Sequence, residues 1–323
     1  MAAPLVPVLV GPTAVGKTAV AAALADLAPV AVISADARQV YRGLDIGTAK
    51  PAPALLARVP HRGLDVVAPG ERYSAGQFAR DAAAWVAELV AAGRQPIVVG
   101  GTGFYVRALA DGLFREPPLD PEGRERVGRW TDTLSPARLA RWAGRLDPRY
   151  RGGGRQRAAR VVEIGLLTGR PLSWWQREAR ATGAIRPWYI HLTLPRETLH
   201  RRIATRVDHM LAAGLVDEVR RVLAAGVAPD APGLDGVGYR QVVAVLRGER
   251  PAAGLLAAII TATRQYAKRQ ETWFRNQLRD QPSAVSHQPE TVWTLDAAAP
   301  PDALAREIHM RWKDANSLLA ADS

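Results

Sequence analysis

The chain has 323 residues, a formal net charge of +12, a sequence pI of about 10.7 and no cysteine. The lack of cysteine excludes disulfides and Cys-ligated zinc. We recognise no membrane span and no targeting segment, so we expect a cytoplasmic protein that contacts no membrane. The length predicts a core domain with either an insertion or a second lobe. The charge indicates either a polyanionic partner or an arginine-rich proteome, with equal weight.

The first predicted element is a buried strand, Leu5–Val10, which leads into a phosphate-binding loop and a helix. The loop fits the pattern G-x-x-x-x-G-K-[ST], in which backbone N–H groups, the helix N-terminus and a lysine surround an anion. Its residues are Gly11, Pro12, Thr13, Ala14, Val15, Gly16, Lys17 and Thr18. A plain glycine-rich turn before a helix is the alternative. The loop predicts a phosphate compound as ligand but does not indicate which one.

The following segments alternate between short apolar runs and amphipathic helices. We predict a strand at Val30–Ser34, a helix over 74–92, and a strand over 96–99 that ends in the glycine-rich segment 100–103. This alternation predicts an α/β fold, a P-loop NTPase-like parallel sheet with helices on both faces. In such sheets ligands bind beyond the carboxyl ends of the strands, so the loops after these strands are expected to converge on one site.

Three polar residues in these loops are candidates for chemistry. Asp36 follows the second strand, where a carboxylate can bind magnesium or accept a proton, although an aspartate there often caps the next helix. The hydroxyl of Thr18 is the usual Mg²⁺ ligand in phosphate loops. Thr102 could meet the substrate or simply stabilise a tight turn.

From residue 117 the sequence is rich in arginine, tryptophan and alanine at helical spacing. We predict a mainly helical insertion, which divides the chain into a first part of the core (1–114), the insertion (115–186) and a second part of the core with C-terminal helices (187–323). Between Arg115 and Arg186 there are sixteen arginines, no lysine and eight acidic residues, a net charge of +8. Such a concentration of positive charge is typical of a nucleic-acid docking surface.

After the insertion we predict a strand over 188–194, a helix, and a long helix over 252–277. The first of these helices carries three arginines, Arg201, Arg202 and Arg206. They could close over bound phosphates, although an exposed basic face is the commoner meaning of such a run. Residues 265–275 of the long helix could place cations on phosphates and rings on bases, while Trp273 and Phe274 are expected in the core.

Seven blocks, in the order 34–51, 60–61, 73–75, 99–105, 156–160, 236–240 and 263–270, carry a family resemblance. In them the chain resembles the bacterial tRNA dimethylallyltransferases, also called tRNA isopentenyltransferases. The first block, which begins Ser-Ala-Asp-Ala-Arg-Gln-Val-Tyr, is far more specific than the phosphate loop alone. The resemblance implies transfer of a dimethylallyl group from dimethylallyl diphosphate to N6 of the adenine at position 37, next to the tRNA anticodon, with release of pyrophosphate and magnesium.

The resemblance also implies roles for individual residues. It makes Asp36 the base, Thr102 a partner near the pyrophosphate and substrate, and Arg206 a cation on the leaving group. The phosphate loop would hold the diphosphate instead of a nucleoside triphosphate, and we expect a monomer. Contacts with the anticodon stem-loop are implied for Asp36, Ala37, Arg38, Gln39, Thr102, Arg124, Gln156, Arg157, Ala158, Ala159, Arg160, Asp235, Gly236, Val237, Gly238, Tyr239 and Arg240.

The chain departs from the family pattern at two places. Ala37 stands where the family usually has serine, and an Arg-Gly-Gly-Gly-Arg segment precedes Gln156 in place of the usual Asn-Asp turn. Three other functions remain open from the sequence: an adenylate isopentenyltransferase, a P-loop small-molecule kinase, and a non-catalytic RNA-binding protein. The first would use a free nucleotide as acceptor, the second would turn over ATP, and the third would leave Lys17, Thr18 and Asp36 without a role.

Overall fold

The structure is a computed structural model that describes residues 3–114, 117–179, 182–279 and 292–321. The chain divides into a core unit, made of Met1–Ala110 and Ala184–Ser323, and an insertion unit, Asp111–Gly183. These divisions lie a few residues before the predicted boundaries at 114/115 and 186/187. A strand already begins at Arg186, so the predicted second boundary would separate its first residue from the rest.

Six parallel strands are found in the described part of the core unit. They are β1 (Leu5–Val10), β2 (Val30–Ser34), β3 (His61–Arg62), β4 (Gln95–Gly100), β5 (Arg186–Thr193) and β6 (Val292–Asp296). Their order across the sheet is β3-β2-β4-β1-β5-β6. The predicted α/β fold, with a parallel sheet and helices on both faces, is confirmed. The sequence analysis predicts neither β3 nor β6, the two edge strands of the sheet.

The helices connect these strands, form the insertion or, in the case of the last one, follow the final strand. They are α1 (Lys17–Leu24), α2 (Pro53–Arg58), α3 (Ala75–Ala91), α4 (Gly103–Asp111), α5 (Pro121–Thr133), α6 (Pro136–Leu146), α7 (Arg155–Thr168), α8 (Leu172–Glu178), α9 (Arg196–Ala212), α10 (Leu215–Ala224), α11 (Tyr239–Leu246), α12 (Leu255–Arg279) and α13 (Pro301–Ala321). Within the described ranges, no helix has the length and apolar character needed to cross a membrane.

Local sequence explains how α3 forms and packs. Ser74 is its N-cap, and a capping box joins the Ser74 side chain and the Gln77 side chain to each other's backbone N–H groups. Phe78, Ala82 and Val86 recur at four-residue spacing and are buried, so this face covers the sheet. The observed bounds differ by one residue at each end from the predicted 74–92.

The central strands place three loops at one edge of the sheet. β4 lies between β1 and β2, with Val98 opposite both Val8 and Ile33. Because all the strands are parallel, their carboxyl ends lie on the same side. The phosphate loop, the segment after Ser34 and the segment after Gly100 therefore leave the sheet as neighbours, as predicted.

The insertion unit has a small hydrophobic core of its own. Helices α5 to α8 surround buried Leu139, Val161, Val162 and Ile164, against which Trp130 packs. Apolar residues at helical spacing explain this core, since each helix buries one face and exposes arginines on the other. Prolines begin α5 and α6 after the N-caps Asp120 and Ser135, as expected for a residue that lacks a backbone N–H.

Candidate active site

The phosphate loop requires glycine at two positions. Gly11 has φ +145°, and a Cβ there would come 2.5 Å from the carbonyl oxygen of Leu192. Gly16 has φ +114° and is the N-cap of α1. L side chains rarely adopt either conformation, and at Gly11 there is also no space for one. These two glycines let the loop turn sharply into α1, whose N-terminus then faces the end of the sheet.

Lys17, the first residue of α1, extends back across the loop. Its Nζ donates hydrogen bonds to the carbonyl oxygens of Gly11, at 2.9 Å, and Pro12, at 2.8 Å. Burial lowers the pKa of Lys17 to about 7; the carboxylate of Asp36 opposes this shift, and the guanidinium of Arg206 adds to it. Near neutral pH the lysine is therefore balanced between its charged and neutral forms, and an anion in the loop would favour the charged form.

We expect diphosphate binding to take up a proton at Lys17. The bound anion stabilises the ammonium and raises its pKa, so between about pH 7.5 and 9 the affinity should fall as pH increases, by up to about tenfold per pH unit. Isothermal titration calorimetry in buffers of different ionisation enthalpy measures this uptake. Lys17→Met should bind more weakly and take up no proton, whereas uptake that persists in this variant would assign the proton to another group.

Asp36 lies directly beyond β2 in a turn. One carboxylate oxygen, Oδ1, accepts a hydrogen bond from the backbone N–H of Arg38 at 2.8 Å, and no hydrogen bond from the described residues reaches the other oxygen. The next helix, α2, begins only at Pro53, so the alternative that Asp36 caps the following helix is wrong. The carboxylate instead lines a cleft of about 50 Å³ with Lys17, Thr18 and Gln39.

Thr102 joins the glycine-rich segment to the Asp36 turn. Its Oγ1 accepts a hydrogen bond from the backbone N–H of Ala37 at 2.9 Å, and its own N–H donates to the carbonyl oxygen of Ala35 at 3.1 Å. A Cβ at Gly100 would overlap the backbone of Ala35, which explains the glycine at the end of β4. Thr102 therefore fixes the position of the residue next to Asp36, which is a turn-stabilising role beside the candidate base.

The three arginines of α9 have different surroundings. Arg201 is exposed and bonds Thr198. Arg202 donates to the carbonyl oxygens of Val15, at 3.0 Å, and Ala297, at 3.3 Å, so it supports the phosphate loop from the side opposite the cleft.

Burial lowers the pKa of Arg206, and the Asp36 carboxylate opposes that shift. Of the three, Arg206 is thus the arginine that is electrostatically coupled to Lys17 and Asp36.

The donor groups of the cleft suit Mg²⁺ better than a transition metal. No cluster of three or more His, Cys, Asp or Glu side chains that could hold a metal ion occurs in the described residues. Thr18 is exposed in the first turn of α1 and lines the same cleft as Asp36. Mg²⁺ commonly binds through few protein oxygens together with substrate phosphates and water. The residues present therefore fit a magnesium ion that arrives with a diphosphate.

Comparison with known proteins identifies the family of this site. Residues 39–277 match the family model described as IPP transferase, and residues 4–62 match a model described as isopentenyl transferase. The tRNA dimethylallyltransferase of Halorhodospira halophila is 44% identical over 284 residues, which cover 86% of this chain and 91% of that protein. The chain belongs to the tRNA dimethylallyltransferase family.

Other relatives agree with this assignment. The tRNA dimethylallyltransferase of Syntrophobacter fumaroxidans is 44% identical over 270 residues, or 82% of this chain and 79% of that protein. The crystal structure of the full-length tRNA isopentenylpyrophosphate transferase of Bacillus halodurans has a TM-score of 0.70 at 30% identity and covers 99% of this chain and 100% of its own. A eukaryotic dimethylallyltransferase, whose crystal structures are described as showing it acting on tRNA, shares the fold, with a TM-score of 0.75 at 24% identity over 91% of this chain and 74% of its own.

In the core unit, the two segments expected to contact tRNA in this family adjoin each other. Arg38 donates to the carbonyl oxygen of Pro232 at 2.8 Å, and its guanidinium lies 3.7 Å from the carboxylate of Asp235.

The other residues of these two segments differ in exposure. Gln39 is directed inward, where its side-chain amide donates to two backbone carbonyls and accepts a hydrogen bond from the Ser34 hydroxyl. Asp235 and Arg240 are exposed, Gly236 and Gly238 are buried, and Val237 is half-buried.

Tyr239 and Ala158 have buried side chains, 1% and 2% exposed. The Tyr239 hydroxyl donates to the carboxylate of Glu218 at 2.6 Å, and Ala158 is part of the core of the insertion unit. These two side chains therefore face the interior, and contact of either residue with RNA stays a prediction. Both residues lie on the buried face of a helix. A short sequence motif does not reveal which of its residues point inward.

In the insertion unit, the other candidates lie on the surface of α5 and α7. Arg124 and Arg160 both form ion pairs with Glu163, so this group of three carries a single net positive charge. Gln156 and Arg157 are exposed at the start of α7, and Ala159 is half-buried. These positions are available for contact with a ligand, and Arg157 has no acidic partner among the described residues.

Sequence reasoning missed two residues that organise the site. Glu218 is 3% exposed, and its carboxylate accepts hydrogen bonds from the backbone N–H groups of Asp45, Ile46 and Gly47. Gln270 is 5% exposed and bonds both the phosphate loop and the 100–103 segment. The signal available in the sequence was only a polar residue on the apolar side of an amphipathic helix, since the partners are distant along the chain.

Proposed function

We propose that the chain transfers the dimethylallyl group of dimethylallyl diphosphate to N6 of the adenine next to the anticodon of tRNA and releases pyrophosphate. The observation that carries the proposal is a single cleft containing the lysine of a phosphate loop and the carboxylate of Asp36. One side of this cleft suits a leaving diphosphate, and the other suits an amine that must lose a proton. The identities of the prenyl donor and of the tRNA acceptor are inferred from the family to which the chain belongs.

The leaving group needs positive charge. As the bond between the allylic carbon and the diphosphate oxygen breaks, negative charge grows on the diphosphate. The loop N–H groups, Lys17 and Arg206 would stabilise it, with the low dielectric of a partly buried site increasing their effect. Magnesium held by Thr18, water and the diphosphate oxygens would neutralise part of the same charge.

The attacking amine needs a base. The lone pair of adenine N6 is delocalised into the ring, which makes it a weak nucleophile, and its new bond to carbon leaves the nitrogen with an extra proton. The carboxylate of Asp36 would accept that proton through the oxygen that its own turn leaves unbonded. Thr102 keeps the turn in place through Ala37. Arg38 and the exposed residues of 235–240 would contact the RNA around the extruded base.

The insertion unit offers a surface suited to RNA phosphates. The exposed arginines Arg126 and Arg129 of α5 each pair with a glutamate four residues earlier, which neutralises them. Helix α6, by contrast, contains no acidic residue, and no ion pair reaches its arginines within the described residues. We call its exposed face the α6 stripe: Arg138, Arg141, Trp142 and Arg145. The guanidinium of Arg145 lies 6.0 Å from the centre of the Trp142 ring.

The α6 stripe combines unpaired positive charge with an exposed aromatic ring, the two features that bind RNA backbone and unstacked bases. We therefore assign it, together with Arg157, the role of binding the tRNA anticodon stem-loop on this unit. The proposal needs one copy of the chain and no membrane, and it places the enzyme in the cytoplasm.

A transfer assay with two acceptors tests the proposal. With labelled dimethylallyl diphosphate and Mg²⁺, label should pass to unmodified tRNA, with a KM that rises steeply with salt, and AMP should accept little. Replacing Arg138, Arg141 and Arg145 with alanine should reduce the slope of log affinity for tRNA against log salt by about 2 to 3. The matched control, alanine at the paired Arg126 and Arg129, should change that slope by less than about 1.

Two results would contradict this account. Efficient transfer to AMP, independent of salt, would assign a free nucleotide as the acceptor, as an adenylate isopentenyltransferase would use. Equal slopes for the two arginine variants would remove the α6 stripe from the RNA surface while leaving the transfer reaction in place.

A further inference from the structure

Helix α12 presents three side chains to the glycine-rich segment between β4 and α4. Tyr266, Gln270 and Trp273 recur at spacings of four and three, so they lie on one face of the helix. The Tyr266 hydroxyl interacts with the side chain of Thr102, while burial and the carboxylate of Asp36 raise the pKa of Tyr266 to about 12. A Cβ on Gly103 would overlap the Trp273 ring.

Gln270, the middle residue of this face, links two loops. Its Oε1 accepts a hydrogen bond from the backbone N–H of Thr13 at 2.8 Å, and its Nε2 donates one to the carbonyl oxygen of Gly101 at 2.9 Å. The side chain is 5% exposed; its bond to Gly101 is buried and its bond to Thr13 is partly buried, so both are largely shielded from bulk water. A Cβ at Gly101 would overlap Nε2, which means that a glycine is required for the amide to approach so closely.

These two bonds close a continuous path between the two halves of the proposed reaction. The path runs from the phosphate loop at Thr13 through Gln270 to Gly101, the residue before Thr102. Thr102 then bonds Ala35 and Ala37, on either side of Asp36. Among the described residues, no other side-chain hydrogen bond links the phosphate loop to the 100–103 segment or to the Asp36 turn.

We propose that Gln270 is a positioning residue that fixes the distance between the diphosphate loop and the Asp36 turn. It touches neither substrate and acts through the two loops. A displacement of about 1 Å between reacting groups can cost about 10²-fold in rate, so a single buried amide at this point has a large effect. The inference rests on the proposed transfer reaction.

The chemistry of the link requires an acceptor at one end of the side chain and a donor at the other. A glutamine supplies both, whereas methionine, which has a similar length, supplies no donor and only a weak acceptor. An ionised glutamate would accept from Thr13 but would place a negative charge against the Gly101 carbonyl oxygen. A protonated glutamate restores the donor, and burial raises the pKa of a glutamate at such a site. The activity of Gln270→Glu relative to the wild type should therefore recover as pH falls.

The test compares Gln270→Met, Gln270→Glu and a control on the same helix, Asn276→Met, which removes an exposed side-chain amide. We expect Gln270→Met to lower kcat by about 10²-fold with the KM for tRNA little changed. The ratio of kcat for Gln270→Glu to that of the wild type should rise by about tenfold or more between about pH 8.5 and 6, and Asn276→Met should match the wild type at every pH.

A constant ratio of Gln270→Glu to wild-type kcat across this pH range would overturn the proposal, since a merely structural glutamine gives no such recovery. Wild-type kcat in a folded Gln270→Met would overturn it as well. If the wild type itself transfers no label, the failure belongs to the proposed function. If Gln270→Met does not fold, the pH profile of Gln270→Glu still decides the question.

Discussion

Replacing Lys17 with alanine should lower kcat by at least about 10²- to 10³-fold, the effect of losing one preorganised charge on a leaving group. Lys17 is the lysine of the phosphate loop, and its ammonium already lies within 3 Å of two loop carbonyls. tRNA binding should survive, because the arginines of the insertion unit carry most of the RNA-facing charge in our proposal. Single-turnover transfer of label and a separate tRNA-binding titration measure the two effects.

The control for this prediction is Lys313→Ala, which removes the same charge from an exposed position on α13. It should retain turnover within a few-fold of the wild type. Near-normal turnover in Lys17→Ala would show that the phosphate loop is not the diphosphate site. Loss of tRNA binding in that variant, with the fold intact, would move the RNA surface onto the loop.

Asp36→Asn should lower kcat by about 10²- to 10⁴-fold, the usual range for loss of a general base. The substitution is well suited to the structure because an asparagine Oδ1 can still accept the bond from the Arg38 N–H, so the turn is kept while the proton acceptor is lost. Diphosphate affinity should change little. Rapid-quench kinetics with saturating donor and tRNA measure the chemical step directly.

Asp36→Ala provides the comparison for a purely structural role. It removes the turn bond as well as the base, so it should lower the melting temperature more than Asp36→Asn and have a similar kcat. If Asp36→Asn keeps wild-type kcat, Asp36 is not the base. If its melting transition collapses, the residue acts through the fold, and the proton acceptor must lie elsewhere in the cleft.

The parts of the site that sequence predicts are those fixed by local chemistry. The turn from β1 into α1 needs Gly11 and Gly16 because of their backbone angles, and these glycines stand at fixed spacing beside Lys17. The α/β alternation likewise follows from short apolar runs and one-sided helices. The spacing of the loop residues and the alternation of strands and helices can each be recognised within a few tens of residues. The parallel sheet and the converging loops could therefore be predicted.

The parts that sequence did not predict depend on contacts between distant residues. Gln270 meets Thr13, 257 positions earlier, and Glu218 meets the segment at Asp45, 173 positions earlier. Their partners are backbone groups, which every residue has, so no pairing of side-chain types marks them. The edge strand β6 also depends on a partner that is distant in the sequence. It is defined by its pairing with β5, because it has no long apolar pattern of its own.

The most direct test of the central claim, that this cleft joins a diphosphate donor to a tRNA adenine, is to locate the transferred group. The wild-type enzyme is incubated with labelled dimethylallyl diphosphate, Mg²⁺ and unmodified tRNA, and nuclease fragments are sequenced by mass spectrometry. We predict one five-carbon group on N6 of the adenine next to the anticodon, and at least about 10²-fold slower labelling of that adenine with Lys17→Ala. Label on another nucleotide of the tRNA, or label on AMP but not on tRNA when AMP is added to the same reaction, would contradict this claim.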